Sequence, residues 1–427
     1  MSTIYRPFPP SRRAQLAALI TQSAERAAAK GGADIDHLAE LRTALTGRAS
    51  PSDALKALAA GEPGLEERLR TRILPAILGH ARALVEQADP ALPLHVAGRP
   101  ALAVVPRAEV AGWIAHMILG TLPHPSPDHP YVDFVMLLST SRPAELAKLR
   151  CVLGYFDQVA DNAPAGRIEI EHVAPSPRAA SAWALDSAPL TTLEVFEEGV
   201  IEDAAGHRQV DFANAYLGGG VLSGGCVQEE IRFAVAPELL VGMIVSPRMD
   251  PSEAIVLRGA PRFTITRGYA FSLAYDGHFE DPAARAEDGT PDVELVAMDA
   301  LDYRNGDEAD QFTEAAMLRE LAKARAGFLR DVRALPVATG NWGCGVFRGD
   351  PALKALLQWL AASAEGRSVR YSSFGDRRVG DLAAFVASAR ARFGTVSGLF
   401  RRLFEVVGGA GLAGRSGGPG LYARLLA

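Results

Sequence analysis

Cysteine is scarce in this sequence. The 427 residues include only three cysteines, Cys151, Cys226 and Cys344, and no two of them form a Cys-x-x-Cys pair. An odd and widely spaced set argues against a disulfide framework and against a structural zinc site. We therefore expect a reducing, intracellular compartment and no metal.

Long apolar runs are absent as well. No run approaches the roughly 20 residues that a membrane-spanning helix needs. The first residues, MSTIYRPFPPSRR, contain no apolar segment of the kind that directs secretion. These absences predict a soluble protein with no membrane partner. We expect it in the cytoplasm, and in a eukaryotic source the nucleus is a second expected location.

Positive charge is not in excess, and two nucleotide-binding signatures are missing. Lysine and arginine number 44 against 50 acidic residues, for a net charge of −6. This balance argues against nucleic-acid binding, sequence-specific or not. No Gly-Lys-Ser/Thr follows a glycine-rich loop, and Gly343-x-Gly345 is followed by Gly349, one residue too far for the dinucleotide fingerprint. The second mismatch argues against a nicotinamide-dependent oxidoreductase.

The spacing of apolar residues changes once along the sequence. Apolar residues recur at helical spacing from Ser11 to about Gln87, and further helices are predicted before residue 160. From about Arg167, strand-like runs alternate with helices, which favours a mostly parallel or mixed sheet covered on both faces. We predict an all-α accessory domain over 1–165, an α/β domain over 166–410 and a flexible glycine-rich tail over 411–427.

The segment from Val210 to Phe233, VDFANAYLGGGVLSGGCVQEEIRF, contains a glycine triplet between a predicted strand and two adjacent acids, Glu229 and Glu230. Consecutive glycines suit positions that need a positive φ or where a ligand touches the main chain. Adjacent carboxylates repel each other, which suits a site that transfers protons or grips hydroxyl groups. A flexible turn with two solvated glutamates is the alternative, and the apolar flanks favour a buried loop.

A second glycine-rich loop, ATGNWGCGVFRGD, spans Ala338 to Asp350. It follows a predicted strand and precedes a helix expected to begin near Pro351. Loop N–H groups at the start of a helix bind phosphate or diphosphate well. We expect Trp342 to pack in the core. Because ligands of open α/β sheets bind beyond the carboxyl ends of strands, the two loops predict a nucleotide diphosphate, held or cleaved at a sugar. The residues alone do not separate a hydrolase from a binding protein.

At these residues the sequence resembles the eukaryotic-type poly(ADP-ribose) glycohydrolases. The shared signature is a glycine triplet, a short spacer and Gln-Glu-Glu, and the segments VDFAN, VQEEIRF, GYA and ATGNWGCG follow in the family's order. The resemblance implies a macrodomain-like, three-layer α/β/α sandwich with a mixed sheet, preceded by the helical domain. It also implies hydrolysis of ribose–ribose bonds in poly(ADP-ribose), mainly from the chain end, without a cofactor.

The resemblance also assigns roles to individual residues. It implies that Glu230 is the catalytic acid and that Glu229 and Asn214 hold the terminal ribose. Asp211 is expected to support the site from behind. The remaining ligand contacts that it implies are Gln228, Glu202, Gly218, Gly219, Gly220, Tyr269, Asn341, Gly343, Gly345, Phe347 and Phe374. The expected partners are poly(ADP-ribose) and ADP-ribosylated proteins, bound by a monomer.

The chemistry agrees with a glutamate as the proton donor. Cleavage of a ribosyl bond passes through an oxocarbenium-like transition state and needs a proton on the leaving oxygen. A carboxyl group held out of water beside a second one has a raised pKa and keeps its proton. Two alternatives stay open, a non-catalytic ADP-ribose-binding macrodomain and a hydrolase of single protein-linked ADP-ribose groups. A binding protein has no need of paired acids.

Overall fold

The computed structural model describes residues 3–409 and 420–427. Its strands are β1 Thr3–Tyr5, β2 Leu92–Leu94, β3 Ala101–Pro106, β4 Arg167–Val173, β5 Leu193–Phe196, β6 Arg208–Ala213, β7 Ala254–Arg258, β8 Thr264–Arg267, β9 Ala274–His278, β10 Glu294–Asp299, β11 Val337–Gly340 and β12 Val369–Ser372. Its helices are α1 Pro10–Ala29, α2 Ile35–Thr46, α3 Asp53–Gly61, α4 Leu65–Arg68, α5 Leu74–Val85, α6 Arg107–Leu119, α7 Val135–Leu138, α8 Pro143–Gln158, α9 Ala180–Ala184, α10 Gln228–Val235, α11 Val241–Val245, α12 Glu314–Phe328, α13 Pro351–Ala364, α14 Leu382–Phe393, α15 Val396–Gly409 and α16 Leu421–Leu426.

One mixed sheet organises the molecule, with the strand order β3-β4-β7-β10-β6-β11-β12-β5. The strands β10, β6, β11, β12 and β5 are parallel, so their carboxyl ends lie at one edge. The strands β7, β4 and β3 add antiparallel pairs on the other side of β10. Two separate antiparallel pairs, β1-β2 and β8-β9, lie outside this sheet.

Helices cover both faces of the sheet, because side chains along each central strand alternate between two hydrophobic cores. In β7, Ile255 and Leu257 face a core built with α5, α6 and α8. Their neighbours Ala254 and Val256 face the other core, built with α12, α13 and α15. This alternation is the period-2 pattern of a strand that is buried on both sides. The predicted three-layer architecture with a mixed sheet is confirmed.

The accessory region is helical, as predicted, but it also contains strands. A π-helical segment, Leu69–Ile73, joins α4 to α5, and Pro75 lies at the start of α5. The strand β3 lies in the region predicted to be all-α, and it pairs with β4 at the edge of the main sheet. Since Ala103 and Val105 are buried while Leu102 and Val104 are exposed, β3 is a half-buried edge strand. The expectation of an all-α first domain is corrected here.

The predicted flexible tail needs a second correction. Residues 410–419, which hold most of its glycines, lie outside the described residues. The remainder forms α16, whose Tyr422 and Leu425 are buried in the second core. The ring of Tyr422 stacks on that of Phe385 at a centroid distance of 4.6 Å. The apolar residues of LYARLL therefore have a packing partner that glycine content alone does not predict.

Candidate active site

Both glycine-rich loops lie at the carboxyl edge of the parallel strands. The first loop leaves β6 after Ala213, and the second leaves β11 after Gly340. These two strands are neighbours in the sheet, and β12 lies next to β11. The position that we predicted for both loops is thus confirmed, and a single ligand can touch them together.

Glu229 is fixed by the backbone around the start of the first loop. Its carboxyl oxygens accept hydrogen bonds from the N–H of Asn214 at 2.8 Å and of Gly218 at 2.7 Å. The residue is only 2% exposed. Burial, and then the carboxyls of Asp211 and Glu230, raise the pKa of Glu229 well above its ordinary value, although the two N–H donors act in the opposite direction.

Glu230 is held by other amides of the same loop. One oxygen accepts from the N–H of Gly220 and the other from the N–H of Val227, both at 2.9 Å. The second of these bonds caps the N-terminus of α10. Glu230 is 7% exposed, so it is the more accessible of the two acids. Adjacent positions on one helix turn thereby place two carboxyl groups side by side with separate sets of donors.

The glycines are needed because the carboxyl groups leave no room for side chains. A Cβ on Gly219 would lie 2.6 Å from an oxygen of Glu229 and 2.6 Å from an oxygen of Glu230. Gly218 and Gly219 also have positive φ, at 85° and 50°. A Cβ on Gly225 would lie 2.6 Å from Cδ of Glu230. The small residues that the sequence places before Gln228 therefore let the loop wrap closely around both acids.

A buried lysine of the accessory region braces the loop. Lys148, in α8, is fully buried, and its ammonium group donates to the carbonyls of Ser223 at 2.7 Å, Gly220 at 3.1 Å and Gly225. Burial lowers the pKa of Lys148, and the nearby Cys226, Glu230 and Glu145 oppose the shift. We did not predict this residue. The helix α8 is buried on nearly every side. A lysine within such a helix is unusual, and this is the feature that could have singled out Lys148.

Behind the two acids lies a third buried carboxyl group. Asp211, on β6, is fully buried, and neither of its oxygens has a hydrogen-bond partner among the described residues. Burial raises the pKa of Asp211 well above its ordinary value; the charges of Glu230 and Glu202 add to this, and Arg232 opposes it. The buried Arg232 was not predicted either.

Gln228 and Tyr269 lie beside the acids. The amide of Gln228 accepts from the N–H of Phe212 at 2.8 Å and donates to the carbonyl of Val210 at 3.3 Å, so it binds the backbone of β6. Burial raises the pKa of the Tyr269 hydroxyl, and the main chain of Gln228 opposes this shift. The chain turns directly after Tyr269, at Ala270, which has a φ of 52°.

The second loop has the expected position and contacts. Trp342 is buried, as predicted, and donates to the carbonyl of Met298 at 2.8 Å. Gly343 has a φ of 73°, and a Cβ there would lie 2.5 Å from that of Ala300. Gly345 has open space beside it. The helix α13 begins at Pro351, as predicted, behind the N-cap Asp350.

Asn341 ties this loop to the end of β12. Its side chain accepts from the hydroxyl of Tyr371 at 2.8 Å and donates to the carbonyl of Ser373 at 3.1 Å. Phe374 follows with a φ of 53°, is 46% exposed, and lies with its ring over Gly340. A bulky residue with a positive φ is rare and marks a constrained position.

Phe347 lies towards the end of the second loop. It packs against the second core, and the guanidinium of Arg304 lies 5.3 Å from its ring centroid. Its carbonyl accepts from the N–H of Tyr303 at 3.0 Å. Within residues 3–409 and 420–427, no three His, Cys, Asp or Glu side chains are grouped as a metal ion would require. Likewise, none of the helices described is long and apolar enough to cross a membrane.

The fold is that of a macro-domain protein with a helical domain. The family described as "Poly (ADP-ribose) glycohydrolase (PARG), Macro domain fold" matches residues 180–381. The family described as "Poly (ADP-ribose) glycohydrolase (PARG), helical domain" matches residues 64–172. The chain belongs to the poly(ADP-ribose) glycohydrolase family, and the predicted membership is confirmed.

Named relatives agree with these matches. The chain is 32% identical to "Poly(ADP-ribose) glycohydrolase 1" of Arabidopsis thaliana over 349 residues, which cover 65% of this chain and 63% of that protein. It is 33% identical to "Poly(ADP-ribose) glycohydrolase 1" of Caenorhabditis elegans over 300 residues, which cover 67% of this chain and 38% of that protein. The matched region thus spans less than two thirds of each relative.

Proposed function

We propose that this protein hydrolyses the ribose–ribose O-glycosidic bonds of poly(ADP-ribose), mainly from the chain end, and releases ADP-ribose. The observation that carries the proposal is the pair of buried acids, Glu229 and Glu230, each held by its own amides of one glycine loop. The second glycine-rich loop on the adjacent strand supplies N–H groups of the kind that bind a diphosphate. The family to which the chain belongs supports the same reaction.

The two acids have different tasks in this proposal. Glu229 is the more deeply buried and lies against Asn214, so it orients the hydroxyls of the terminal ribose. Glu230 is the more accessible and faces the scissile bond. Each carboxylate oxygen has two lone pairs, so the backbone donors leave acceptor capacity for the ligand.

The reaction proceeds by proton transfer at Glu230. Its carboxyl group donates a proton to the bridging oxygen as the bond from the anomeric carbon to that oxygen breaks, and the rest of the polymer leaves as an alcohol. Water attacks the oxocarbenium-like carbon, and its proton passes to the Glu230 carboxylate, which restores the acid. Asp211 supports Glu229 from behind, and Tyr269 closes over the ligand beside Gln228.

The decisive experiment compares Glu230→Gln with the wild type on labelled polymer. We expect ADP-ribose release to fall at least ~10²-fold, the usual contribution of a general acid, while the affinity for free ADP-ribose stays close to that of the wild type. Glu229→Gln should weaken ADP-ribose binding as well. Glu314→Gln, at an exposed position that begins α12, is the matched control.

Three results would overturn parts of this assignment. Near wild-type turnover by Glu230→Gln would show that another group moves the proton. A wild-type protein that binds ADP-ribose but releases none from polymer would be a binding macrodomain. A wild-type protein that cleaves only single protein-linked ADP-ribose groups would be a mono-ADP-ribosyl hydrolase.

Some expectations from the sequence stay predictions within this proposal. They are the domain boundaries at residues 165 and 410, action as a monomer inside the cell, and ADP-ribosylated proteins as carriers of the substrate. Light scattering of the purified protein checks the oligomeric state. Digestion of automodified protein carriers, followed by analysis of the released product, checks the substrate.

A further inference from the structure

An aromatic side chain projects into solvent beside the acids. Phe271 lies between β8 and β9, two residues after Tyr269, and is 98% exposed. Burying a phenylalanine is favourable by about 1.5–3 kcal/mol relative to leaving it in water. A ligand that covers this exposed ring beside the site would therefore bind more favourably.

The turn that carries Phe271 is constrained from both sides. Gly268 has a φ of 75°, and a Cβ there would lie 2.8 Å from the main-chain carbon of Ser272. The hydroxyl of Ser272 donates to the carbonyl of Tyr269 at 2.8 Å. Leu273 is buried and packs with Ala144, Ala147 and Cys226. The position of the Phe271 backbone, from which the ring projects, is therefore fixed.

The same turn is attached directly to the loop that holds Glu230. The N–H of Ala270 donates to the carbonyl of Cys226 at 3.0 Å. The next amide along the chain, that of Val227, donates to Glu230 at 2.9 Å. Two hydrogen bonds and one peptide group separate Ala270 from the carboxyl, a path of about 8 Å at most. Phe271 thus lies within reach of groups attached to the oxygen that Glu230 protonates.

We propose that Phe271 stacks on the adenine of the second ADP-ribose unit, on the leaving side of the scissile bond. The inference rests on the proposed function, because only a polymer places a second nucleotide there. Bases stack on aromatic rings irrespective of their hydrogen-bonding edges, and Phe271 needs no polar partner for this contact. The residue thereby favours polymer over single ADP-ribose groups.

The test compares two substrates in wild type and Phe271→Ala. For polymer we expect KM to rise about tenfold with kcat within about twofold; a tenfold change corresponds to ~1.4 kcal/mol, within the range for one stacked base. For a 4-nitrophenyl glycoside of ADP-ribose, which has no second nucleotide, we expect no change. Phe271→Trp should retain the polymer KM. Val332→Ala is the matched control, since Val332 is also fully exposed and precedes β11 at the opposite edge of the sheet.

The outcomes separate this inference from the proposed function. If wild type releases no ADP-ribose from polymer, both are rejected. If wild type is active and Phe271→Ala has an unchanged polymer KM, only the inference is rejected. An equal rise in KM for both substrates would also reject it, because the ring would then serve the terminal unit.

Discussion

Gly225→Ala is the substitution that tests the site geometry most directly. Gly225 has no positive φ, so alanine is compatible with its backbone. Its new Cβ, however, would lie 2.6 Å from Cδ of Glu230 and 3.0 Å from Cγ. Carbon atoms in contact are normally about 3.5–4.0 Å apart. The carboxyl of Glu230 must therefore move by about 1 Å.

A displacement of this size is expected to slow the reaction by a known order of magnitude. A shift of about 1 Å in a catalytic group lowers the rate about 10²-fold, or ~2.7 kcal/mol in the barrier. The shift also pulls Glu230 away from the N–H of Gly220. We expect kcat for polymer to fall by about this factor, while ADP-ribose binding through Glu229 changes little.

The neighbouring glycine provides the control. A Cβ on Gly224 would lie 3.5 Å from an oxygen of Glu145, which is an ordinary contact. Gly224→Ala should therefore keep kcat within about twofold of the wild type, and both variants should unfold at similar denaturant concentrations. Similar kcat values for the two variants would refute the placement of Glu230 against Gly225.

Two further predictions concern residues around the acids. Lys148→Met leaves the carbonyls of Ser223 and Gly225 without their buried donor. It should lower the free energy of unfolding by about 2–4 kcal/mol, and it should lower kcat far more than it changes KM. Lys56→Met, at an exposed lysine, is the control and should change neither quantity. Equal losses in kcat and 1/KM would indicate a general packing role for Lys148. Asp211→Asn tests the buried carboxyl group. Because burial raises the pKa of Asp211, the folded protein keeps a proton that the unfolded chain loses as the pH rises. The stability that this group contributes is therefore present in acid and is lost towards alkaline pH. The substitution should therefore raise the free energy of unfolding, measured in urea, more in alkaline than in mildly acidic buffer; an equal change in both would contradict the raised pKa.

Local sequence patterns predicted the parts of the site that are continuous in the chain. The strand before the glycine triplet and the strand before Asn341 end as expected, and both loops lie at the carboxyl edge. Glycine spacing and the adjacent acids are visible without any tertiary information. The helix start at Pro351 follows from the fixed φ of proline.

The parts that depend on distant contacts were not predictable in this way. Lys148 reaches carbonyls more than 70 residues away, and no periodic signal links the two segments. The turn at Ala270 depends on a hydrogen bond to the distant carbonyl of Cys226, which the local sequence does not show. The placement of β3 depends on pairing with β4, which follows it by about sixty residues.

The brace at Lys148 has a consequence for how the molecule can be divided. Its ammonium group belongs to α8, and the carbonyls that it binds belong to the loop that holds Glu230. One of the two edge strands of the sheet, β3, also belongs to the accessory region. A fragment that begins after α8 would therefore contain every acid of the site and yet lack the group that shapes the loop around them. We therefore expect that the α/β region, produced without α8, would not keep this loop in the same conformation.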